Sequence, residues 1–325
     1  MPIAATCPKV ENIDANYTDS RSAFAQRFYQ IAQARGLKLN SDLIYLDAPT
    51  ALDLEKLLPV PYAVEPTDQY TLIVPGLLGS SVSTLVAPLF CARERLTVKG
   101  YNLQVAWVTG RSGCDLNAKL LRKHVLEIAD RSGQPVNIIG YSKGCADAIH
   151  MLGNHEDTHQ AVSALVSYAG VVLGTPLAAS VPNWVNTLLR YMPLPGDTYG
   201  DGLAINDLTP HRREQWLLDH PLPKNVKLAS VAASPTPKQV SRILKGSYRR
   251  LSLLDPRNDS QVICNDTIIP NSELLAVVNA DHWAIALPIA ERHRLLAKML
   301  VDKNEFPRDV LIQAVIDHLS MTPAV

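Results

Sequence analysis

Residues 136–152 read Val136-Asn137-Ile138-Ile139-Gly140-Tyr141-Ser142-Lys143-Gly144-Cys145-Ala146-Asp147-Ala148-Ile149-His150-Met151-Leu152. A short apolar run stops at a glycine, and a helix-forming stretch follows the second glycine at once. The spacing predicts a strand, a tight turn with Ser142 at its apex, and a helix from Lys143. Side chains two residues before and after such an apex would collide, so Gly140 and Gly144 are required there. The turn lifts the Ser142 hydroxyl above the sheet and aims the positive end of the helix at it.

Working outward, further apolar runs lie at Tyr70–Val74, Leu103–Val108, Ala161–Val172, Val226–Ala233 and Glu273–Val278. Such runs suit strands buried on both faces. Helical patterns at Asn117–Arg131 and Lys143–Leu152 alternate with them, which predicts βαβ units. The fold class expected is α/β: a doubly wound, mostly parallel sheet with a helical cap insertion. Residues 1–66 read as an N-terminal extension with helices at 19–36 and Ala51–Leu58. Residues 67–325 form the main domain. Within it, 175–224 carry seven prolines, from Pro176 to Pro223, and break the rhythm. That stretch is expected to be a cap or lid with short helices at Asn183–Tyr191 and Pro210–Asp219. Arg308–Leu319 reads as a last helix.

At this point the chain resembles the α/β-hydrolase superfamily, in particular bacterial lipase- and esterase-like serine hydrolases. Leu72-Ile73-Val74-Pro75-Gly76-Leu77-Leu78-Gly79 is similar to their strand and oxyanion loop, with Pro75 where a histidine is usual. The resemblance implies oxyanion donors at the backbone N–H groups of Leu77 and Lys143. It also implies the chain order serine, acid, histidine. Three histidines follow the cap: His282, His293 and His318. Of these, His282 sits in a loop after a strand, where the family places its base. Asp255, Asp259 and Asp266 are the candidate acids. Asn265-Asp266-Thr267-Ile268-Ile269-Pro270 is similar to the family's acid-bearing segment, which ranks Asp266 first. Residues 234–262 then become a second insertion. The implied catalytic set is Ser142, Asp266 and His282. Tyr141, Trp184 and Leu188 are expected to line the substrate site. The implied activity is hydrolysis of carboxylic esters, of lipid-like or other acyl kind. A thioesterase or polyester hydrolase on the same residues, a non-catalytic binding fold and, last, an HExxH zinc metalloprotease are the alternatives.

His155-Glu156-Asp157-Thr158-His159 matches the HExxH pattern of zinc proteases. That chemistry needs both histidines on one face of a helix, and Gly153-Asn154 should end the helix just before them. The motif is read as a polar helix-to-strand loop, with no metal and no cofactor expected.

Composition narrows the partners. The 325 residues carry 31 Lys+Arg against 31 Asp+Glu. No block of five or six like charges occurs, and no nucleic-acid partner is expected. The pairs Arg212-Arg213 and Arg249-Arg250 read as solvated faces. Apolar runs are too short to span a bilayer. The five cysteines, Cys7, Cys91, Cys114, Cys145 and Cys264, form no CxxC pair and suit reduced thiols. With no signal-like start, a cytoplasmic location is expected.

Overall fold

The computed structural model describes residues 16–40, 42–45, 66, 68–77, 89–182, 200–292 and 305–321. The expectations for helices at Ala51–Leu58 and Asn183–Tyr191 fall outside these residues.

Among the described residues seven strands make one sheet: β1 (Thr18–Asp19), β2 (Thr71–Val74), β3 (Leu103–Val105), β4 (Val136–Tyr141), β5 (Val162–Tyr168), β6 (Lys227–Ala233) and β7 (Glu273–Val278). Their order is β1-β7-β6-β5-β4-β2-β3, and every pairing is parallel. Alternate residues divide the core. Ile73, Ile139, Val166 and Val231 face one layer, while Leu72, Ile138 and Leu165 face the other, as the period of two along a strand requires.

The first layer is closed by helices α1 (Arg21–Ala34) and α9 (Arg308–Met321), which supply Phe24, Phe28, Leu311 and Val315. The second is closed by α3 (Cys114–Ser132) and α4 (Lys143–Asn154), through Leu121, Val125, Ala148 and Ile149. Helices α2 (Phe90–Val98), α5 (Pro176–Ala179), α6 (Pro210–Asp219), α7 (Lys245–Leu251) and α8 (Ile289–Arg292) complete the set among the described residues. Helix α3 ends on Gly133, whose φ of 68° is the left-handed stop that favours glycine. None of the described helices is long and apolar enough to cross a membrane.

Two strands stop several residues before their apolar runs do. β3 stops at Val105, and Trp107 beyond it is 81% exposed. β5 stops at Tyr168 because Ala169 turns to φ 46°. Residues 16–45 join the body of the fold. Thr18 and Asp19 pair with Glu273 and Leu274, and α1 packs on α9.

The chain runs from β2 to the edge strand β3 and returns to β4 on the other side of β2. Strand order therefore reverses between β2 and β4. A crevice opens at such a point, outside the carboxyl ends of the two strands. Gly76 follows β2 there and Ser142 follows β4.

Candidate active site

Ser142 occupies the turn between β4 and α4 with φ 54° and ψ −127°. A non-glycine residue pays for a positive φ, and its surroundings must hold it there. The neighbouring glycines do so by close approach. A Cβ on Gly140 would stand 2.5 Å from Cys145 Cα, and one on Gly144 would stand 2.2 Å from the Val74 carbonyl oxygen. The loop after β2 presses on the same turn. A Cβ on Gly76 would stand 2.7 Å from Ser142 Cβ. Leu77, the next residue along this loop, is half-buried. The Lys143 N–H lies in the first turn of α4, where no residue of that helix can accept it.

The Lys143 side chain runs the other way. Its ammonium is buried and lies 2.5 Å from Asp147 Oδ1. Asn117 donates to the other Asp147 oxygen at 2.9 Å. This buried pair ties the first turn of α4 to α3.

His282 follows β7 and is buried. Its Nε2 is 2.8 Å from Ser142 Oγ, and its Nδ1 is 2.6 Å from Asp259 Oδ2. An ionised carboxylate only accepts, so Nδ1 carries the proton and Nε2 is left to accept from the serine hydroxyl. The histidine is fixed twice more. Its backbone N–H donates to the Asp259 carbonyl at 2.8 Å. Its own carbonyl accepts from the Tyr141 hydroxyl at 2.8 Å.

The acid expected at Asp266 is corrected to Asp259 as the partner of His282. Asp259 is fully buried. Its Oδ1 accepts from the N–H groups of Gln261 and Val262 at 2.9 and 2.7 Å. Asp259 N–H donates to the Val262 carbonyl, and Asn258 bridges to Ile263. This small turned loop aims the carboxylate at the imidazole. Asp266 serves instead through its backbone, whose carbonyl accepts from Val172 and Leu173. Burial, with Asp255 nearby, pushes its carboxyl up to about 7. The third candidate, Asp255, is held by Arg257, with Arg257 Nη2 at 2.8 Å. Asp281 points away from the ring of His282. Its carboxylate accepts from the N–H groups of Ser241, Trp283 and Ala284.

Tyr141 was expected at the substrate, but it is buried with its ring tilted against the His282 imidazole at 5.1 Å. Its hydroxyl bond to the His282 carbonyl supports the histidine. Trp184 and Leu188 lie outside the described residues, as does His293. His318 sits on α9 and bonds Glu273 at 3.0 Å, at the opposite end of the strand from His282. The HExxH residues do not share a helical face. α4 ends at Asn154, Glu156–Thr158 form a 3-10 turn, and His159 Nε2 folds back to the Leu152 carbonyl at 2.8 Å. Among the described residues no group of three or more His, Cys, Asp or Glu is placed to hold a metal ion.

A parallel sheet with its serine turn at the strand reversal defines an α/β-hydrolase fold. The comparison with solved structures agrees. The chain superposes on a carboxyl esterase of metagenomic origin with a TM-score of 0.85 and 28% identity, over 97% of this chain and 96% of that one. Lipase 1 from Pelosinus fermentans aligns with a TM-score of 0.54 and 10% identity, over 78% and 99% of the two chains. The mature lipase BlEst2 of Bacillus licheniformis aligns with a TM-score of 0.54 and 19% identity, over 69% and 89%. These two lipases share the fold. No family model and no curated protein matches the chain.

Proposed function

We propose that this chain is a serine hydrolase of carboxylic esters, with Ser142 as nucleophile, His282 as base and Asp259 as the orienting acid. The observation that carries the reading is the continuous hydrogen-bond relay from Asp259 through His282 to Ser142, at 2.6 and 2.8 Å, ending on a serine held at positive φ. The likeness to a carboxyl esterase at 28% identity supports the ester class.

In the first half-reaction Ser142 Oγ attacks the acyl carbonyl carbon while Nε2 of His282 takes the hydroxyl proton. The Leu77 and Lys143 N–H groups receive the oxyanion, which together is worth several kcal/mol of barrier. The tetrahedral intermediate collapses, and His282 returns its proton to the departing alcohol oxygen. Water, deprotonated by the same nitrogen, then attacks the acyl-enzyme and regenerates Ser142 with release of the acid. Asp259 keeps Nδ1 protonated and stabilises the imidazolium at each stage. The cap proposed to cover this crevice begins at Thr175, whose hydroxyl donates to the Gln261 carbonyl at 2.6 Å and ties its start to the acid loop. The end of the 175–224 stretch joins the body of the fold instead: Trp216 stacks on His150 with ring centroids 3.9 Å apart, towards the end of α4 away from Ser142.

Labelling with a fluorophosphonate tests the reading. The folded parent should be labelled and Ser142→Ala should not. Turnover of p-nitrophenyl esters should fall with it. A folded Ser142→Ala that labels or turns over like the parent would remove the assignment.

A further inference from the structure

Between Ser234 and Leu254 the sequence holds Lys238, Arg242, Lys245, Arg249 and Arg250 and no acidic residue, in a chain whose formal charges cancel overall. The fold gathers them on the loop after β6, a 3-10 turn at Arg242–Leu244, and α7. Leu244 and Leu251 anchor this stretch in the core, and all five cations are exposed. Among the described residues Lys238, Arg249 and Arg250 make no ion pair. Three acids that adjoin this stretch in sequence or by hydrogen bond are committed elsewhere: Asp255 to Arg257, Asp259 to His282, and Asp281 to three backbone amides.

Apolar side chains stand among the cations. Ile243 is 51% exposed, Leu253 86% and Leu254 67%. Aliphatic groups held in water between positive charges gain nothing from a phosphodiester backbone, which rewards charge alone. They do gain from a lipid headgroup boundary, where cations meet anionic headgroups and aliphatic tips enter the apolar layer. The stretch is also fastened to the site. Ser241 N–H donates to Asp281 Oδ2 at 2.6 Å, beside His282, and its far end leads directly into Asp259. Helix α7 packs on α5 at the entry to the cap.

We propose that the exposed face of residues 238–254 seats the protein on an anionic lipid surface, with Ile243, Leu253 and Leu254 entering the headgroup boundary. Resting on the ester-hydrolase reading, this makes the substrate an ester presented at such a surface.

Vesicle flotation of the full chain tests it, with phosphatidylcholine alone and with phosphatidylcholine carrying phosphatidylglycerol. The parent should bind the anionic vesicles at least about tenfold more than the neutral ones, and added salt should reduce the difference. The double variant Arg249→Glu/Arg250→Glu should lose the preference. Leu253→Ser/Leu254→Ser should bind less but keep its salt dependence. Lys123→Glu, on the exposed face of α3, should bind like the parent. Hydrolysis of a water-soluble acetate ester should be unchanged in all three variants, which also shows that they fold. Equal binding to the two vesicle types, parental binding by the Arg249→Glu/Arg250→Glu variant, or capture by polyglutamate as tight as by anionic vesicles would each overturn the proposal. Vesicle binding as expected with no ester turnover by the parent would uphold the surface and remove the ester-hydrolase reading instead.

Discussion

Asp259 and Asp266 sit seven positions apart in one loop, and their surroundings give them different roles. Asp259 accepts from two backbone amides and an imidazole N–H, which fix its direction toward His282. Asp266 lies in a place that disfavours charge, with its carboxyl raised to about 7 by burial and then by Asp255. Asp259→Asn should lower kcat by about 10³–10⁴, because the amide selects the wrong imidazole tautomer. Asp266→Asn should leave steady-state ester hydrolysis close to that of the parent. Matching losses in both variants would refute this division. The two also differ in stability. The folded state keeps the Asp266 proton up to about pH 7, whereas the unfolded chain releases it near 3.8. The contribution of this group to stability is therefore present in acid and is lost as pH rises through 7. Asp266→Asn should gain little over the parent at pH 4 and on the order of 3 kcal/mol at pH 8. Urea melts at the two pH values check this, and equal differences at both would contradict it. The sequence held a signal for the right acid. Asn258-Asp259-Ser260-Gln261 is rich in turn formers, and an aspartate that starts a turn bonds the amides two and three residues on. Motif likeness at Asn265–Pro270 outweighed it, and only the bridge from Asn258 to Ile263 decides which carboxylate faces the histidine.

The elements that carry the site were legible because each has an unambiguous pattern. β4 and β7 are short apolar runs buried on both faces, and α4 begins directly after the serine. Glycines at the turn were legible too, since their reason is steric and local. Strand ends were less so: an apolar run does not reveal where the backbone leaves the sheet, as at Ala169 and Trp107. The contact between the β2 loop and the β4 turn is a property of two elements, invisible in either alone. Gly76→Ala tests it. The added methyl meets Ser142 Cβ, so the loop must retreat and carry the Leu77 N–H with it. Loss of one oxyanion donor costs about 10²–10³ in kcat, with KM much less affected. A Gly76→Ala enzyme with parental kcat would show that the loop does not hold the oxyanion.

For the molecule as a whole, the least legible feature was the integration of residues 16–45. Their helix was apparent from Phe24, Phe28 and Ile31, but the partner of its apolar face was not, because that partner is α9, almost at the other end of the chain. Phe28 is fully buried and stacks on Phe306 with ring centroids 6.5 Å apart. Phe28→Ala should cost about 3–5 kcal/mol. Denaturant unfolding would measure it, and a loss below 1 kcal/mol would mean that α1 lies on the body without belonging to it.

The pairing of β1 with β7 also sets an order of events during synthesis. Ser20 donates to Glu273 across a separation of 253 residues. The segment that holds β1 and α1 therefore has no strand to join, and no helix to cover Phe24, until β7 and α9 have been translated. Strands β2 to β6 can pair with one another as they emerge, whereas β1 waits for a partner that begins 253 residues after Ser20. Until then the aromatic face of α1 has no place in the sheet's core and stays open to water.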